Sequence, residues 1–165
     1  MTIHALPTPE LSRQAADLFR ARQRSAQAKV ASGEWSIDQA TTKLRPWLAI
    51  ACLAGADLPE LDEALADQRG FAITAGFPDR HAAEANLRTL AANEICPRHK
   101  WASLLAKARD MALDAHAAHL AANPGNSLAG ALFDRAVLCS ALCQHLDVRL
   151  PYIPTIHAAP ERKVA

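Results

Sequence analysis

The chain has 165 residues, 50% apolar and 21% charged, with a formal net charge of +1. That length suits one domain with a sizeable core, and the balance excludes a disordered polar chain. The near-neutral charge also excludes a strong global field for nucleic acid or an anionic membrane.

Alanine dominates the remaining composition: 37 Ala against one Tyr, three Trp and four Phe. Alanine has the highest helix propensity and fills narrow gaps between helices without losing side-chain entropy. The expectation is an all-α, single-domain bundle of about six helices over residues 1–150, with an Ala-rich core and a mobile, proline-containing tail over 151–165.

Thr8-Pro9-Glu10 supplies an N-cap, a proline at the first helical position and an early carboxylate. The helix it opens should run to Ala31 and stop at Gly33. Ser36 and Gln39 match a capping box, so a second helix starts almost at once and folds back as an antiparallel hairpin. Ile37, Ala40, Leu44, Trp47, Leu48 and Ala51 keep one apolar face across Pro46. This phase predicts one kinked helix to Ala54, with Pro46 on the opposite, wet side and Gly55 as its end.

Asp57-Leu58-Pro59-Glu60 begins a short acidic helix closed by Gly70. Residues 71–78 read as a loop, with Phe71, Ile73 and Phe77 reaching towards the core, and a fourth helix spans Asp79 to Ala92. Cys96-Pro97 marks the next boundary. From Arg98 a stripe of Trp101, Leu104, Leu105, Ala108, Met111, Ala112 and Ala115 predicts a long amphipathic helix. Asn123-Pro124-Gly125-Asn126 is a stop, a turn and a new cap. The last helix puts Leu128, Leu132, Cys139, Leu142, Cys143 and Leu146 on one face, and Pro151 ends it.

Catalytic and metal chemistry find little support. No glycine-rich phosphate loop, G-x-S-x-G elbow or H-E-x-x-H motif is present. Cys96/His99, His116/His119 and Cys139/Cys143 have suggestive spacings, but a tetrahedral site needs four ligands around one ion. In a hairpin of the last two helices, Cys139 lies roughly 13 Å beyond the residue opposite His119. Cys139 and Cys143 therefore read as small core residues, and no cofactor is expected. Four cysteines at irregular spacing, including Cys52, make no disulfide framework. The N-terminus lacks the pattern of a secretory signal, and no apolar run reaches the ~20 residues of a membrane span. The expected location is cytoplasmic.

Charge is uneven along the chain. Residues 1–50 hold seven Lys/Arg against four Asp/Glu, whereas residues 51–70 hold one Arg against five Asp/Glu. Arg13, Arg20 and Arg24 lie within about 40° of one another on the first helix, whereas Arg22 and Lys29 flank its opposite, apolar side. Glu60, Asp62, Glu63 and Asp67 cluster near the start of the third helix, a position the helix dipole favours. Trp35 sits in the hairpin turn, where it either staples the second helix or anchors a partner.

Arg20-Ala-Arg-Gln-Arg24, Val30-Ala-Ser-Gly33-Glu-Trp-Ser36 and Leu44-Arg-Pro-Trp-Leu-Ala-Ile50 together resemble a helical hairpin of short proteins from proteobacterial phages and mobile elements. The resemblance implies a small accessory protein that binds and modulates a bacterial host complex. It carries no site residues with it.

These features point to a non-catalytic protein-binding adaptor, regulator or inhibitor. Its candidate contact residues are Arg13, Arg20, Arg22, Arg24, Lys29, Trp35, Glu60, Asp62, Glu63 and Asp67. The opposite charges equally suit association of two copies. The alternative is a nucleic-acid-associated protein contacting phosphates through Arg13, Arg20, Arg22, Arg24 and Lys29.

Overall fold

The computed structural model describes residues 8–72, 80–123 and 129–154. Among these, the elements are six α-helices and one 3-10 turn: α1 (Pro9–Ala31), α2 (Ile37–Leu53), the turn Pro59–Leu61, α3 (Asp62–Ala72), α4 (Arg80–Ile95), α5 (Arg98–Ala122) and α6 (Ala129–His145). The protein is an all-α bundle.

Local chemistry sets the first hairpin. Thr8 Oγ1 accepts from Leu11 N at 3.3 Å, opening α1. Gly33, at φ 77°, turns the chain. The capping box then starts α2: Ser36 Oγ accepts from Gln39 N at 3.1 Å, and Ser36 N donates to Gln39 Oε1 at 2.8 Å.

The helix α2 is the buried centre, packed against α1, α4 and α5. It passes through Pro46 without ending, as its phase predicts. Pro46 itself is buried rather than on a wet side, because α2 is covered around most of its circumference between Pro46 and Leu53. Thr42, whose carbonyl loses its usual donor at Pro46, is exposed and open to water. Ile37, expected on the core face, is 73% exposed at the first turn, ahead of the point where other helices cover α2. Gly55, at φ 77°, turns the chain after the Ala54 cap.

Two helices overrun their expected ends. Gly70 does not close α3, which continues to Ala72, and α4 extends past Ala92 to Ile95. A glycine costs a helix interior only about 1 kcal/mol relative to Ala, which tertiary packing readily outweighs. Residues 71 and 72, expected at the start of a loop over 71–78, belong to α3. Residues 73–79, 124–128 with the expected turn, and 155–165 lie outside the described residues, as do the side chain of Phe71 and the start at Asp79.

An antiparallel pair is formed by α5 and α6. Arg98 donates to the carbonyls of Leu146 and Asp147 at one end, and the rings of His116 and Phe133 lie 5.4 Å apart towards the other. Only the near half of this pair enters the main core, through Trp101, Leu105, Leu142, Cys143 and Leu146. Ala112, Ala136 and Cys139 form a separate small cluster further out. The α5 stripe accordingly splits. Trp101, Leu105 and Ala112 are buried, whereas Leu104 and Met111 are 38% and 59% exposed.

The chain after α6 is hydrogen-bonded to α5 as far as it is described. Helix α6 ends at His145, ahead of Pro151, and Asp147 at φ 54° redirects the backbone. Arg109 donates to the Leu150 carbonyl at 2.8 Å, Ile153 N donates to Asp110 at 3.2 Å, and the Tyr152 hydroxyl donates to Asp114. Residues 151–154 therefore lie along α5. No helix of the described residues is long and apolar enough to cross a membrane.

This burial pattern separates two truncations. Leu142→Ala, at a fully enclosed site, should lower unfolding free energy by about 2–5 kcal/mol in chemical denaturation. Ile37→Ala should change it by less than about 0.5 kcal/mol.

Candidate functional site

The basic and acidic segments meet each other at the surface of the bundle. Arg20 Nη1 contacts Glu60 Oε1 at 2.5 Å, joining α1 to the turn that leads into α3. Gln23 donates to the same carboxylate oxygen at 3.0 Å. Partial burial alone would raise the Glu60 pKa, but the bonds from Arg20 and Gln23 prevail and hold it below the ordinary range.

Other cations of the first helix also have local partners. Arg13 pairs with Glu10 at 2.6 Å and Asp17 at 3.2 Å. Lys29 pairs with Glu34 at 2.9 Å and lies 4.4 Å from the centre of the Trp35 ring. Lys43 approaches the same ring at 5.0 Å. Trp35 is half-buried, with both ammonium groups close to its ring. Arg24 is exposed, with no ion pair among the described residues.

Two clefts flank different faces of α2. The first is a groove of about 420 Å³ with Leu44, Leu48, Phe19 and Ile95 among its apolar lining residues. Its carboxylates are Glu60, Glu63, Asp67 and Glu94, with Arg45 as the cation lining it. Glu63, Asp67 and Glu94 make no ion pair among the described residues. Three of the four acidic candidates thus share this groove. Asp62 is exposed and does not line it. Glu94 joins from the end of α4, some thirty residues away in sequence, so its part in the groove depends on helix packing.

The second cleft has a volume of about 490 Å³ and lies between α1, α2, α5 and α6. Arg22 enters it from α1, with its guanidinium carbon 3.5 Å from the centre of the Trp47 ring. Lys107 and Arg135 add charge from α5 and α6. Burial, followed by the nearby Arg135 cation, lowers the Arg22 pKa to about 10. Only Arg22 among these cleft residues belonged to the sequence-based contact set. Lys107 and Arg135 were missed because each is one ordinary cation on a mixed helix face.

The cysteines are buried, free thiols. Burial raises the pKa of Cys52 and Cys143 to about 11 and pushes those of Cys96 and Cys139 up as well. No group of three or more His, Cys, Asp or Glu side chains converges as a metal site among the described residues. A buried thiol with a raised pKa is a poor nucleophile.

Two measurements follow from this geometry. In a double-mutant cycle, Arg20→Ala and Glu60→Ala should show about 0.2–1 kcal/mol of coupling at neutral pH, as partly solvated pairs do. Because the folded Glu60 pKa is depressed, its contribution is complete above the ordinary carboxylate range and is lost as pH falls through the folded value. The coupling should therefore disappear in acid. A thiol reagent at mildly alkaline pH should label the native chain on the order of 100-fold more slowly than the denatured chain.

No family model, curated protein or solved structure matches the chain, so the functional reading rests on these two clefts.

Proposed function

We propose that this protein is a non-catalytic binding module that docks a basic, amphipathic segment of another protein in the groove between α2, α3 and α4. Such a module acts as an adaptor, regulator or inhibitor, consistent with the resemblance of its first hairpin to phage and mobile-element accessory proteins. The observation carrying this reading is the coincidence of Glu63, Asp67 and Glu94, which make no ion pair among the described residues, with an apolar floor containing Leu44, Leu48 and Ile95.

The physical fit is a helix with one apolar face and a Lys/Arg rim. Its apolar face displaces water from the groove, while its cations meet Glu63, Asp67 and Glu94, which make no ion pair among the described residues. Charge complementarity of this kind steers encounter and fixes register. Phosphate binding through the first helix finds less support, because Arg13, Arg20 and Lys29 already carry carboxylate partners.

A Lys/Leu amphipathic helical peptide and its Glu/Leu counterpart test the reading by fluorescence anisotropy. The Lys/Leu peptide should bind, and Glu63→Lys with Asp67→Lys should weaken it about tenfold or more. The Glu/Leu peptide should not compete. Equal binding of both peptides, or unchanged binding to the charge-reversed protein, overturns the proposal. Sedimentation velocity without peptide distinguishes occupation of the groove by a second copy, which the same substitutions would abolish.

A further inference from the structure

On the other exposed side of α2, the structure assigns a second binding site: we propose that the cleft between α1, α2, α5 and α6 takes an amphipathic carboxylate, a small molecule with one anionic head and an aliphatic or aryl body. This site is independent of peptide docking in the acidic groove.

Three cations converge on the cleft from three helices: Arg22, Lys107 and Arg135. None makes an ion pair among the described residues. No carboxylate among the described residues lines the cleft. Arg22 is the group most in need of a counter-ion. Its Nε is buried without a hydrogen-bond partner, and its guanidinium is stacked on Trp47. A partly buried charge facing another cation is unfavourable unless something supplies the opposite charge.

The rest of the lining describes the ligand's body. Trp47, Leu104, Met111 and Leu132 give an apolar wall, and Ala108 and Ala112 leave space where larger side chains would fill it. The volume of about 490 Å³ lies within the range of small-molecule sites. Met111 is flexible and polarisable, which suits contact with a tail of variable shape. A mostly apolar cleft in which Arg22 and Arg135 lie close enough to interact favours a single planar anionic head over a polyanion. Guanidinium groups recognise that head through paired N–H donors.

Octanoate is the direct probe, with octan-1-ol, octylammonium and inorganic phosphate as controls, all titrated calorimetrically into the full chain. Octanoate should bind with one ligand per chain, with the alcohol and the ammonium at least about tenfold weaker. Lys107 and Arg135 are exposed, so Lys107→Gln and Arg135→Gln should leave thermal unfolding nearly unchanged while weakening octanoate about tenfold together. Arg22→Gln should weaken it as well. Tryptophan fluorescence gives a second readout, since the ligand would lie beside Trp47. Equal affinity for octanoate and octanol, undiminished binding by the Lys107/Arg135 double variant, or binding of phosphate without octanoate each overturns the assignment.

Discussion

The enclosure of α2 is the constraint on which the other features depend. From Ala49 to Ala54 every residue is buried, so this stretch has no face left for polar side chains. A helix surrounded in this way must have its terminal carbonyls satisfied from within the protein. Arg88 does this from α4: its Nη1 donates to Cys52 O at 3.0 Å and Ala56 O at 3.1 Å, while Glu84 holds its Nε at 3.1 Å. One charged side chain thereby closes the end of α2 and ties it to α4. The small residues Ala49, Ala51, Cys52 and Ala54 let neighbouring helices approach this centre closely.

Enclosure at one end of α2 leaves its flanks to form the two clefts. Trp47 projects towards α5 and α6, whereas Leu44 and Leu48 lie roughly 60–100° further round, towards α3 and α4. Helix α1 divides in the same way, sending Arg22 to one cleft and Phe19 and Gln23 to the other. Opposite charge collects on the two sides because different helices complete each wall. The Arg20–Glu60 contact anchors the acidic side and removes Arg20 from the pool of free cations. The outcome is not a basic end facing an acidic end, but two amphipathic clefts of opposite sign, both walled in part by α1 and α2.

Much of the architecture was legible in local chemistry. The Thr8 cap, the Ser36–Gln39 capping box, the turns at Gly33 and Gly55 and the continuation through Pro46 are interactions between residues close in sequence. The apolar phase of α6 likewise marked Cys139, Leu142, Cys143 and Leu146 as buried. The acidic groove was half legible. Glu60, Glu63 and Asp67 stand out as a charge run, but Glu94, Leu44 and Leu48 join them through the packing of α4 against α2. The cationic cleft was scarcely legible, since Arg22, Trp47, Lys107 and Arg135 come from four helices.

The sequence by itself determined that the chain is helical, where most helices begin, and which residue types fill the core. Propensity, capping and periodicity act over a turn or two of backbone, and they need no knowledge of the neighbouring element. Tertiary structure alone decided which charges neutralise each other and which are left to face a cleft. It also decided that Pro46 is enclosed, that Ile37 is exposed, and that residues 151–154 lie along α5. Those outcomes depend on how alanine-rich helix faces pair. Such faces are nearly uniform along the sequence, so their pairing is set by the combined packing of all six helices.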